Sequence, residues 1–153
     1  MGLFSFIKGA GKKLFGSKEE TAPAEEKAQL KASALLSHVQ ALGLPFNSLK
    51  VSVKDDGVVM VTGEVAQQAD SEKIVLALGN VDGVETVDNQ MSVTEPAPEA
   101  RYHTVAEGDW LSKISDKYYG DPMKYNVIFE ANKPMLKDPD EIYPGQVLRI
   151  PNL

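Results

Sequence analysis

The sequence predicts an α+β protein in which helices pack on one face of a small sheet in a first domain, followed by a second, βααβ domain. Three observations predict this. Between residues 27 and 93, apolar residues switch between helical spacing and strand alternation in the order helix, strand pair, helix, strand. The stretch "TEPAPEA" (Thr94–Ala100) then has the Pro, Ala and Glu composition of an extended linker. Residues 101–153 restart the pattern as strand, helix, helix, strand. A length of 153 residues accommodates two such small domains.

Residues 1–16, "MGLFSFIKGAGKKLFG", place Leu3, Ile7, Ala10 and Leu14 at helical spacing, with Phe4 and Phe15 beside them. The segment lacks the basic start and uninterrupted apolar core of an export signal, because Lys8 interrupts it early. Phe6 stands where a myristoylation motif needs Ser or Thr. It is therefore expected to remain on a mature, cytoplasmic chain as an amphipathic segment. Packing on the first domain is favoured over lying on a membrane, since its polar face carries only a few lysines.

Residues 17–26 read as a polar connector. A helix from about Glu25 to Leu42 shows an apolar face at Leu35, Val39 and Leu42, and Gly43 with Pro45 ends it. "LKVSVKDDGVVMVTGEV" reads as a hairpin turning at Asp56-Gly57. "AQQADSEKIVLALG" predicts a second helix that turns Ile74, Val75 and Leu78 to the sheet, with Gly79 as its C-cap. Val87, Met91 and Val93 then alternate along a third strand. Beyond the linker, "RYHTV" is a strand, "DWLSKISDKYY" a helix N-capped by Asp109, "MKYNVIFEAN" a second helix and "QVLRIP" the closing strand. A unit of about 50 residues is marginal alone, so docking on the first domain is expected to support it.

Composition narrows function. A formal net charge of −6 opposes binding to a nucleic-acid backbone. With no cysteine there is no disulfide, thiolate metal site or thiol nucleophile. No apolar run approaches the roughly 18 residues of a membrane span, and no phosphate-binding or dinucleotide fingerprint occurs. His38 sits among polar helical neighbours and is expected at the surface; His103 lies on a strand without a second ligand at metal spacing. The acidic loop "DPDE" (Asp138–Glu141) reads as solvated. No catalytic grouping emerges, and the chain is expected not to be an enzyme.

Two places stand out for their backbone. The last carbonyls of the second helix lack intrahelical partners and carry the negative end of its dipole, and the "GNVDGV" turn that follows contains two glycines. In "IKGAGKK", Gly9 and Gly11 let a helix end turn its carbonyls inward.

Residues 102–151 resemble a LysM domain through "YHTVAEGDWLSKISDKYYG", "IFEAN" and "IYPGQVLRIP". Trp110 stands where that family usually has Thr or Ser. Residues 27–93 resemble a BON domain through "VSVKDDGVVMVTGEV" and "EKIVLALGNVDGVETVDNQMSV". A "GLFSFIKGAGKKLF" start, a BON domain, a short linker and a terminal LysM domain together resemble a family of small bacterial potassium-binding proteins. That resemblance implies a cytoplasmic, non-enzymatic K+ sensor or buffer, a monomer, that changes conformation or order on binding. It implies an ion held by the backbone carbonyls of Ile7, Ala10 and Lys12 from the first segment and of Gly79, Val81 and Val84 from the turn. Neutral carbonyl cages suit a large monovalent cation, whereas carboxylate clusters suit divalent ones. The Lys12 ammonium must then point to solvent. The LysM resemblance implies a second reading: a cell-envelope protein binding peptidoglycan through Gly108, Asp109, Trp110 and Leu111, with the BON domain contacting lipid.

Overall fold

The computed structural model describes residues 2–15, 23–54 and 57–153. Most of the expected connector at 17–26, and Asp56 of the expected turn, lie outside them. The first domain contains β1 (Gly2–Ser5), α1 (Ala24–Leu42), β2 (Ser48–Val53), β3 (Val58–Gln67), α2 (Gln68–Gly79) and β4 (Thr86–Glu95). The second contains β5 (Arg101–Thr104), α3 (Leu111–Tyr119), a 3-10 turn (Pro122–Lys124), α4 (Tyr125–Ala131) and β6 (Val147–Ile150).

The first sheet has the order β1-β4-β3-β2. The hairpin pairs Val51 with Val61, and α2 is the crossover that sets β4 parallel to β3, with Val59 opposite Val87. Alternation does what it should: Val59, Val61 and Val65 on β3 and Val87 and Met91 on β4 are buried against Leu35 and Val39 of α1 and Ile74, Val75 and Leu78 of α2. Asn89 interrupts the apolar row. Its amide donates to the Ser71 hydroxyl at 3.1 Å and its carbonyl accepts the Met91 N–H at 3.0 Å, so a buried polar group is satisfied on both sides.

The N-terminal segment is not a helix where one was expected. Gly2–Ser5 pairs antiparallel with Thr86–Asn89 as an edge strand. The deciding period is two: Leu3 and Ser5 face solvent while Phe4 and Phe6 turn inward. The helical reading grouped Leu3 with Ile7, and both are exposed. A bare β4 edge supplies backbone partners that a short isolated helix lacks.

Two further expectations change. Gly79 is the last residue of α2, not its cap; Asn80 takes that place, with φ −83°. His38 is buried rather than at the surface; it lines a cavity whose other walls come from Gly11 and Lys12 of the N-terminal segment and from Tyr143 and Gln146 of the second domain.

In the second domain, β5 and β6 pair antiparallel, with His103 opposite Leu148. Val105, Leu111, Ile114, Ile128, Leu136, Leu148 and Ile150 form its core. The first helix begins at Leu111 with Trp110 as cap residue. Asp109, expected to cap it, instead accepts the Ala106 N–H at 2.9 Å and bonds His103 Nε2 at 2.9 Å. A carboxylate that closes its own tight turn is not available to the helix.

The outer edge of β6 is finished by side chains. Asn132 accepts the Arg149 N–H at 2.8 Å and donates to the Arg149 carbonyl at 3.0 Å. Asn80 does the same from the first domain, accepting the Val147 N–H and donating to the Val147 carbonyl, each at 2.9 Å. Two amides thus occupy ladder positions that another strand would fill. Beside them, the Arg149 guanidinium bonds the Glu72 carboxylate of α2 at 2.8 and 2.9 Å. The first domain therefore seats the second through α2, whose C-terminal end leads into the glycine-containing turn.

Candidate functional site

The turn after α2 begins where the helix leaves carbonyls without intrahelical donors. Asn80 N–H still closes on the Leu76 carbonyl at 2.9 Å, and Val84 N–H on the Val81 carbonyl at 3.0 Å. The N-terminal segment lies along this turn. Gly83 N–H donates to the Lys8 carbonyl at 2.7 Å, Lys12 N–H to the Asn80 carbonyl at 3.0 Å, and Asp82 N–H to the Lys12 carbonyl at 2.8 Å. The last two flank Val81 and make a parallel bridge between Lys12 and Val81. Upstream, Phe6 N–H donates to the Glu85 carbonyl at 2.8 Å.

Two glycines make the approach close enough. A Cβ on Gly11, whose φ is +105°, would lie 2.5 Å from the Asn80 carbonyl oxygen. A Cβ on Gly79 would lie 2.0–2.2 Å from the Phe6 ring. Phe6 is buried in the first-domain core, so its ring anchors the segment directly over the end of α2. The sequence alone assigns neither Phe6 nor Asn80 a place in this site. The signal for Phe6 was its two-residue spacing from Phe4 across Ser5; Asn80 gives no signal beyond its position at a helix end.

The six carbonyls implied by the resemblance fall on these two adjoining stretches. Those of Ile7, Lys12 and Val81 each accept one backbone bond, from Ala10, Asp82 and Val84 respectively. Among the described residues no backbone N–H donates to the carbonyls of Ala10, Gly79 or Val84. A carbonyl has two lone pairs, so even the engaged oxygens retain acceptor capacity. The Lys12 side chain is exposed, which keeps its charge in water. Among the described residues there is no group of three or more His, Cys, Asp or Glu side chains placed to hold a metal ion. The two stretches instead bring several backbone carbonyls alongside one another.

Burial, and secondarily the Lys12 charge, holds the His38 imidazole below its ordinary value of 6.5. The neutral ring is favoured in the folded state, so the unfolded chain binds more protons as pH drops below 6.5. The associated stability is complete above that value and is lost progressively as pH falls toward the lowered folded value. We expect His38→Gln to flatten the decline in melting temperature over this window, measured by circular dichroism from pH 7.5 to 5; parallel curves for the two proteins would contradict it.

The four residues of the implied glycan site divide. Gly108 is exposed, Leu111 is in the core, and Asp109 is tied to His103, whose other nitrogen bonds the Tyr118 hydroxyl at 3.0 Å. Ala106 N–H and His103 together hold the Asp109 carboxyl below the usual carboxylate range. Trp110 is 57% exposed, with the Lys113 ammonium 5.1 Å from its ring centre, beside a cleft of about 310 Å3 that Leu111 and Tyr125 also line. No helix among the described residues is long and apolar enough to cross a membrane.

Comparison with known proteins places these elements. Residues 27–95 match the BON domain family and residues 103–151 the LysM domain family. The chain is 45% identical over 152 residues to the potassium binding protein Kbp of Escherichia coli O6:H1 (strain CFT073), covering 99% of both chains. It is also 33% identical over 131 residues to an uncharacterized protein of Deinococcus radiodurans, covering 78% of this chain and 51% of that one.

Proposed function

The chain belongs to the family of the potassium binding protein Kbp, and on that premise we propose that it binds K+ through the backbone carbonyls of Ile7, Ala10, Lys12, Gly79, Val81 and Val84. One observation carries the reading: three backbone hydrogen bonds hold Lys8–Lys12 against Asn80–Gly83, uniting both stretches that supply these oxygens. Potassium is large and weakly polarising, and it exchanges its water for neutral oxygens at little cost when several are gathered. A single stretch replaces too little of that hydration. Binding therefore favours the state in which the N-terminal segment is seated, and the ion shifts the chain toward it. The protein acts as a sensor or buffer of cytoplasmic K+, with no catalytic step.

The test is amide NMR of the full chain titrated with KCl, NaCl or LiCl at constant ionic strength. Saturable shifts at Gly11, Gly79 and Gly83 are expected in KCl alone. Deleting residues 1–14 is expected to abolish the K+ response while leaving the LysM domain folded. Identical responses to the three salts, or an undiminished K+ response in the deletion, would overturn the proposal.

A further inference from the structure

Asn80 stands between Gly79 and Val81, whose carbonyls both belong to the proposed cation site. It is buried, and each of its polar groups has a partner. Its N–H closes on the Leu76 carbonyl at 2.9 Å, and its carbonyl accepts the Lys12 N–H at 3.0 Å. The side chain reaches the other way. It accepts the Val147 N–H and donates to the Val147 carbonyl, each at 2.9 Å, and the same Nδ2 lies 3.3 Å from the Met135 sulfur. One residue is thus tied to α2, to the N-terminal segment and to β6.

These ties fix more than Asn80 itself. A planar trans peptide sets its C=O antiparallel to its N–H. The Asn80 N–H points back to Leu76, so the Gly79 carbonyl in the same plane points away from α2. The following plane carries the Asn80 carbonyl and leads into Val81. Turning Asn80 about its own backbone bonds tilts both planes, and the two-bond bridge to Val147 opposes that turn. The entry to β6 also abuts the other carbonyl stretch. A Cβ on Gly145 would lie 2.7 Å from the Ala10 Cβ and 3.4 Å from the Ile7 Cδ1.

We propose that Asn80 is a positioning residue of the cation site: its side chain, anchored on the β6 backbone, holds the Gly79 and Val81 carbonyls at the orientation that fits K+. The inference rests on the carbonyl-site reading above. Partners that orient ligands tune a site's affinity and fit without touching the ion.

The test uses the full chain, with amide NMR titrations in KCl and in RbCl at constant ionic strength. Asn80→Ala is expected to weaken K+ binding by about tenfold or more, the usual cost of removing a partner that orients metal ligands. A purely structural role would lower only the fraction of chains competent to bind, which divides the K+ and Rb+ affinities by one common factor. A positioning role changes their ratio, and K+ is expected to lose more than Rb+. Asn80→Gln keeps the amide but moves it outward by a methylene; it decides the matter by the same ratio if the alanine variant does not fold. With a parent chain that binds K+, unchanged K+ affinity in the variant, or K+ and Rb+ weakened equally, overturns the positioning role alone. A parent chain without a saturable K+ response overturns the carbonyl site and this inference with it.

Discussion

Glu72→Leu is expected to destabilise the chain by about 3–5 kcal/mol, the usual cost of removing one partner from a buried ion pair. Glu72 is 2% exposed and Arg149 8%. One Glu72 oxygen receives both guanidinium contacts, and the other accepts the Ala100 N–H at 3.2 Å and the Gln68 amide at 3.1 Å. Leucine fills the space but leaves the guanidinium buried, with the Ala131 carbonyl as its remaining described side-chain partner. It also removes the acceptor that fixes the linker's last residue. Adding Arg149→Met removes the stranded charge, and the double variant is expected to recover a large part of the loss. Urea unfolding of the four proteins checks this. A loss below about 1 kcal/mol in Glu72→Leu, the range of exposed pairs, would show that the pair is screened by water and does little to seat the LysM domain.

Gly79→Val is expected to displace the N-terminal segment and cost about 1–3 kcal/mol, as overpacking in a filled core does. The new side chain would occupy the space of the Phe6 ring, since even a Cβ comes within 2.2 Å of it. The ring is buried in a core that includes Leu78 and Val84, so moving it disturbs packed neighbours. Amides of Gly2–Lys12 should lose hydrogen-exchange protection, and the K+ response should weaken with them. In a Phe6→Ala background the valine has room, so the two substitutions should be strongly non-additive. Equal protection of Gly2–Lys12 in Gly79→Val and the parent would contradict this account of the contact.

Much of the fold was legible because each element announces itself over several residues. The alternating valines around Val59 and Val87, the helical face of Leu35 and Val39, and the motifs flanking Trp110 and Gly145 all repeat a local rule. The failures share a cause. Whether Leu3–Phe6 is strand or helix is settled by the free edge of β4, a partner distant in sequence. His38 is buried at a place where the N-terminal segment and a loop of the second domain come near its helix, and neither is a neighbour in sequence. Glycine at the end of a helical pattern usually caps it; Gly79 instead answers to the Phe6 ring, which comes from a segment distant in sequence. Two glycine-containing stretches with spare carbonyls stand out in the sequence, and their meeting is expected there through the family resemblance alone. The backbone-to-backbone bonds that join them leave no trace in residue type. Asn80 shows the same limit: nothing in its neighbours says that its amide will stand in for a strand against Val147.

β1 covers one flank of β4 along Gly2–Ser5, and β3 covers the other. A four-residue edge strand is the piece of this sheet held by the fewest bonds, so local opening is expected to release it before the longer strands. Its departure uncovers peptide groups that would accept any extended chain passing by, including another copy's own leading strand. Whatever keeps that short strip seated therefore also keeps the backbone of Thr86–Asn89 paired on both flanks.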